Sequence, residues 1–130
     1  MDRQTITDYI KKKYDAGPEF LWKRYPDYAA FRHDDNKKWF ALIAGVPGLK
    51  LGLDRDDPVD VINLKIEDLF FRDMLIREGG ILPAYHMNKL HWISVLLDGS
   101  VSEQRVYDLI DMSYLATASA KEKKRISAKA

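Results

Sequence analysis

The sequence predicts a single α+β domain: an antiparallel sheet packed by helices, in the order α-β-β-β-α-β-β-α. Three observations predict it. Apolar residues recur at helical spacing in three places: Ile6, Tyr9, Ile10 and Tyr14; Phe70, Phe71, Met74 and Leu75; and Val106, Leu109, Ile110, Ser113 and Tyr114. Between these stripes lie short runs rich in β-branched and aromatic residues that read as strands. Clusters of Pro, Gly, Asp and Asn separate the runs. A chain of 130 residues has room for one ordinary core, so residues 1–120 are taken as one domain and 121–130 as a basic end, a helix extension or a frayed tail.

Thr5-Ile-Thr-Asp8 has capping-box spacing with Asp in the last place, so the first helix is expected to start there. Gly17-Pro18 stops it, because proline cannot continue a helix. Lys11, Lys12 and Lys13 fall off the apolar stripe and read as a solvated face. The connector 19–26 carries Phe20, Trp22 and Tyr25, which gain by burial, so it is expected to pack over the sheet. Residues 28–33 and 38–46 read as an antiparallel hairpin turned at Asp34-Asp35-Asn36-Lys37. In its second strand Trp39, Ala41 and Ile43 alternate with Phe40, Leu42 and Ala44; both sets are apolar, which predicts a strand covered on both faces.

Pro47-Gly48 breaks that strand, and 49–58 reads as a solvated turn. Its Asp54, Asp56 and Asp57 lack the glycine and terminal glutamate of an EF-hand, so no calcium site is expected. Residues 59–66 form the third strand. Glu67 and Asp68 favour a helix start, and 69–78 is a helix that Gly79-Gly80 ends. Residues 81–87 and 90–98 read as the fourth and fifth strands. Ser100 or Ser102 caps the last helix, and the high helix propensity of 116–125 carries it into the basic end.

Composition excludes several function classes. There are no cysteines, so disulfides, thiolate metal sites and cysteine catalysis are out, and a reducing, cytoplasmic setting is expected. No apolar stretch approaches a membrane span, and no signal peptide is expected. Net charge is +1, but the last ten residues hold five cations against one anion, leaving 16 basic and 19 acidic groups in the rest. That body is mildly acidic, unlike a domain that grips nucleic acid over a broad face. Phosphate loops, dinucleotide fingerprints, nucleophile elbows and H-E-x-x-H are absent.

One stretch concentrates groups able to do chemistry: Pro83-Ala-Tyr-His-Met-Asn-Lys-Leu-His-Trp92. If Asn88-Lys89 centres a two-residue hairpin turn, His86 faces His91 and Tyr85 faces Trp92. An odd-numbered loop or a helical turn breaks that pairing. Paired histidines suggest a small-ligand or metal site, although zinc sites want three or four ligands and no third is dictated nearby. Histidine also serves as an acid or base near neutral pH, but no partner group or pocket is visible in sequence. Alternatively Asn88, Lys89, the histidines and an aromatic form a tip that reads an anion or a nucleic-acid backbone. The plainest reading has Asn88 making the turn and Tyr85 and Trp92 filling the core.

Four segments carry a family resemblance. They are Phe31-Arg32-His33 followed by Asn36-Lys37-Lys38-Trp39-Phe40-Ala41-Leu42-Ile43; Asn63-Leu64-Lys65; the 83–92 stretch leading into Leu97-Asp98-Gly99-Ser100; and Asp111-Met112-Ser113-Tyr114. On these the chain resembles the MmcQ/YjbR-like family of small bacterial proteins, with Ile66 where the family often has cysteine and Ala84 where it often has glycine. The resemblance implies a compact α+β fold similar to secretion chaperones. It brings a DNA-binding label that rests on fold analogy, and no catalytic set.

The expected function is therefore a non-enzymatic binding module without a cofactor. Arg32, Lys65, Tyr85, His86, Asn88, Lys89 and His91 are its candidate contacts, with Lys37, Lys38 and the basic end adding charge. Nucleic acid is the first partner considered. A protein partner or a second copy, met through a sheet face, is the alternative, and no membrane partner is expected.

Overall fold

A computed structural model of the chain describes residues 1–129; Ala130, the last residue of the basic end, lies outside them. Its elements are α1 (Arg3–Tyr14), β1 (Ala29–Arg32), β2 (Trp39–Pro47), a 3-10 turn (Gly48–Leu51), β3 (Pro58–Lys65), α2 (Leu69–Arg77), β4 (Ile81–Pro83), β5 (Trp92–Leu96), α3 (Glu103–Thr117) and α4 (Ala120–Lys129). The strands form one sheet in the order β1-β2-β3-β5-β4, and each neighbouring pair is antiparallel. The expected α+β architecture is therefore the observed one. Among the described residues no helix is long and apolar enough to cross a membrane.

The alternation of β3 fixes which face is which. Ile62 and Leu64 join Ile6 and Ile10 of α1, Leu75 of α2 and Val106, Leu109 and Ile110 of α3 in the main core. Val59 and Val61 point the other way, into a second apolar layer with Tyr28, Ala30, Leu42, Ala44, Val46 and Leu96. Among the described residues no α-helix contributes to that second layer. It is roofed by Trp22 from the connector, Leu51 at the end of the 3-10 turn and Leu53 just past it, and Tyr85 and Met87 from the β4–β5 loop. A one-residue slip would exchange both sets at once, and each fully buried Ile or Leu stabilises by about 1.5–3 kcal/mol, so the register is strongly specified. Leu51 and Leu53 make the 49–58 segment a partly buried lid rather than a wholly solvated turn.

In β2 the expected faces are only half right. Phe31 pairs with Ala41 but Arg32 pairs with Trp39, so Phe40 is an extra, bulged residue. Past the bulge the alternation resets. Phe40 and Ala41 both enter the main core, while Trp39 packs with Leu42 and Ala44 on the helix-free side. The bulge lies just beyond the last β2–β3 pair, Ala41 with Leu64. There the buried Ser113 hydroxyl of α3 donates to the Phe40 carbonyl at 2.6 Å and accepts from the Lys65 amide at 2.8 Å. A helix side chain thus completes the sheet ladder at the point where the strands part.

Helix boundaries differ from expectation at both ends of α1 and at the end of α3, while Asp68 caps α2 where its start was expected. Asp2, not Thr5, caps α1: its carboxylate accepts the Thr5 amide at 2.9 Å and the Thr5 hydroxyl at 2.8 Å. The helix stops at Tyr14, before Gly17-Pro18, because Asp15 turns into the left-handed region at φ 54°. Lys13 leaves the solvated face to bind Asp111 at 2.8 Å, beside the Tyr9 and Tyr14 hydroxyls on the same carboxylate. Burial and Asp111 together push the Tyr14 hydroxyl pKa well up, so it stays a proton donor.

Ser102, one of the two serines expected there, caps α3. That helix does not run on into the basic end but breaks after Thr117. The Thr117 hydroxyl bonds back to the Ser113 carbonyl and to His33, and Asn36 donates to the Thr117 carbonyl at 3.0 Å. Ser119 then caps α4 through the Glu122 amide. His33 is buried, and its desolvation holds the imidazole pKa below 6.5, with Asp35 opposing the shift.

Candidate binding site on the helix-free face

The β4–β5 connection is an eight-residue loop, not a two-residue hairpin turn. Strand pairing ends at Pro83 with Ile93, short of the strands expected at 81–87 and 90–98. Asn88 is the reason. Its side-chain oxygen accepts the Leu90 amide at 2.8 Å and the His91 amide at 3.2 Å, and its carbonyl accepts the Trp92 amide at 3.0 Å. That closes one helical turn, so the cross-strand pairing of His86 with His91 does not form.

The loop is pinned onto the helix-free face by a buried polar ring. The Asn63 side chain of β3 donates through Nδ2 to the Tyr85 carbonyl at 2.9 Å; Ser94 of β5 donates to Asn63 Oδ1 at 2.5 Å and accepts the Tyr85 amide at 2.9 Å. The Lys89 ammonium donates to the Ala84 carbonyl at 2.6 Å, while the Lys89 carbonyl accepts both Nε and Nη2 of Arg72 on α2. Asn88 and Lys89 therefore build the loop. Tyr85 is half-buried, and its ring stacks on His86 at 4.0 Å. His86 adopts φ 63° and is exposed. The His91 carbonyl accepts from Ile66, and its ring does not line the cleft that His86 lines. Among the described residues no three His, Cys, Asp or Glu side chains gather as metal ligands would.

Arg32 is held elsewhere. Its guanidinium grips Glu19 bidentately at 2.6 and 2.7 Å, lining a cavity of about 450 Å³ with Tyr14, His33 and Tyr114. It does not converge with Lys65. Lys65 instead meets Lys37, Lys38, Trp39 and Trp92, with Thr117, around a shallow depression of about 280 Å³. Three features bring these residues together. The Phe40 bulge turns Trp39 to the helix-free side, cross-strand pairing sets Trp92 beside Lys65, and the β1–β2 turn, with Lys37 at φ 61°, brings up the two lysines. Among the described residues the depression is lined by three lysines and no carboxylate.

Trp39 also lines the neighbouring cleft, about 320 Å³, with Trp22, Tyr25, Tyr28, Leu42, His86 and Met87. Trp22 stands edge-on to Trp39 (5.3 Å, 73°) and to Tyr28 (6.1 Å, 69°). The connector was expected to pack over the sheet, and Trp22 does; Phe20 does not and is 60% exposed. The aromatic members Trp22, Tyr25, Tyr28 and Trp39 were not singled out as contacts from sequence. Their signal was the aromatic density of the connector, which reads equally as core.

The architecture is that of a small α+β domain with helices on one face and a lysine- and tryptophan-bearing surface on the other. The YjbR family model matches residues 11–116, and the chain belongs to that family. The uncharacterized protein YyaQ of Bacillus subtilis is 42% identical over 117 residues, 90% of this chain and 98% of that protein. A crystal structure of a Pseudomonas syringae protein superposes with a TM-score of 0.88 at 47% identity, covering 91% of this chain and all of that one. A Deinococcus radiodurans structure, 21% identical with a TM-score of 0.70 over 95% of this chain and 86% of its own, shares the fold.

Proposed function

We propose that the protein is a non-enzymatic binding module that takes nucleic acid on the helix-free face of its sheet. One observation carries the reading: Lys37, Lys38 and Lys65 line one depression with Trp39 and Trp92, and no carboxylate among the described residues lines it. The anion paired with Lys37 is the exposed Asp34, 3.4 Å away within the same turn. Lysines attract phosphate and tryptophan offers a flat apolar surface, a pairing suited to nucleic acid. These lysines act against a body with 16 basic and 19 acidic groups, a mildly acidic background. It sets modest affinity and a shallow salt dependence. With three phosphate contacts, log K against log salt is expected to fall with a slope of roughly −2 to −3. Titrating single strands and duplexes of one mixed sequence at 50 and 200 mM salt tests this, with the Lys38→Ala/Lys65→Ala variant expected to reduce the slope. Affinity indifferent to salt, or no binding of either form at low salt, contradicts it.

A second reading, a protein-interaction module, is favoured by a different surface. Phe70 is 87% and Met74 59% exposed on α2, next to an apolar groove of about 490 Å³ lined by Ile66, Phe71, Met112 and Leu115. Apolar groups so exposed mark contact surfaces. This patch lies on the helices rather than on a sheet face, where such a contact was expected.

A further inference from the structure

We infer that the ligand is single-stranded, with one base entering the aromatic cleft and its neighbouring phosphates resting on Lys37, Lys38 and Lys65. The inference rests on the nucleic-acid reading and narrows it. A duplex keeps its bases paired and stacked inside and presents mainly phosphates, sugars and groove edges. Tryptophan faces gain little from it, whereas unpaired bases stack on them irrespective of sequence.

The surface is divided in the way a strand requires. The lysine-lined depression and the aromatic cleft meet at Trp39, which lines both. Among the described residues the cleft is lined by no lysine, arginine or carboxylate, so it suits a flat neutral group better than a phosphate. Its volume of about 320 Å³ accommodates a base with part of its sugar. Trp22 meets Trp39 and Tyr28 edge to face while Tyr25 stacks on Tyr28 at 4.6 Å, so the cleft is walled by aromatic rings. His86, stacked on Tyr85 and 6.0 Å from Tyr25, borders the cleft from the pinned loop. Trp92, beside Lys65 in the sheet, offers a second platform one step along the lysine side.

The test titrates the full chain, by its own tryptophan fluorescence, with a 12-nucleotide DNA strand, the RNA strand of the same sequence, and the DNA duplex, all at 50 mM salt. At least one single strand is expected to bind about tenfold more tightly than the duplex and to quench the emission. Trp39→Ala is expected to weaken strand binding about tenfold or more. Tyr25→Ala, which removes a ring stacked on Tyr28 at 4.6 Å, is expected to weaken it several-fold while thermal unfolding shows the fold retained. A preference for DNA over RNA, or the reverse, identifies which strand the site favours, and either supports the inference. A duplex bound as tightly as both strands overturns it while leaving nucleic-acid binding intact. So does strand binding without quenching that Tyr25→Ala leaves unchanged. No binding of any form removes the parent reading and the inference with it.

Discussion

Ser113→Ala lowers the unfolding free energy by about 2–4 kcal/mol in urea denaturation, although it removes a single oxygen atom. The reason is what that oxygen joins. The Ser113 hydroxyl bridges the Phe40 carbonyl and the Lys65 amide where the bulge ends the β2–β3 ladder. Ser113 is fully buried, so alanine leaves a donor and an acceptor unpaired away from water, at about 1–3 kcal/mol each. Ser102→Ala is the comparison: it removes the exposed cap on α3, and its expected cost is about 1 kcal/mol. If the two substitutions cost the same, the bridge is not carrying the sheet end. The consequence reaches function, because the strand end that loosens is the one that presents Lys65 beside Trp92.

Asn63→Leu is expected to destabilise by about 2–4 kcal/mol as well, despite its near-isosteric shape. It strands the Tyr85 carbonyl and the Ser94 hydroxyl proton, which Asn63 satisfies inside the second apolar layer. Ser94→Ala breaks the same ring, so the double variant should be clearly less destabilised than the sum of the singles. Additive losses would mean that the two side chains act separately. Because this ring fastens Tyr85 and His86 over the sheet, hydrogen exchange across residues 84–91 is expected to rise in either single variant.

These two devices also show where the sequence was legible. The face assignment of β3 could be read directly, since Ile62 and Leu64 alternate with Val61 and Asn63 and the structure keeps that alternation. β2 could not be read the same way. Phe40 and Ala41 enter one core because of a bulge, and an all-apolar run carries no period from which a bulge could be inferred. The 83–92 stretch is dense in polar chemistry, but Asn88 supports two local structures. A left-handed turn and a cap for a helical turn both suit asparagine, and the sheet's second layer chose the cap by drawing Tyr85 and Met87 onto it. The α3–α4 break does have a signal: Ser119-Ala-Lys-Glu122 has capping-box spacing, and Ser119 supplies the cap, within a run of otherwise high helix propensity. Among the candidate contacts, Lys65 was legible as a cation at a strand end. That Arg32 would spend its guanidinium on Glu19, and that Trp39 would turn toward Lys65, depended on pairings across 13 and 26 residues that no local pattern records.

The central claim is that ligand binds at the lysine–tryptophan end of the helix-free face, and the NMR spectrum of the labelled protein during titration with the 12-nucleotide strand tests it most directly. The indole N–H signals of Trp39 and Trp92 and the amides of Lys37, Lys38 and Lys65 should shift first and furthest, followed by Trp22 and the 85–87 loop. Amides around Phe70, Met74 and Leu115 should stay still. Shifts that gather on those helical positions while the tryptophan indoles do not move would contradict the account.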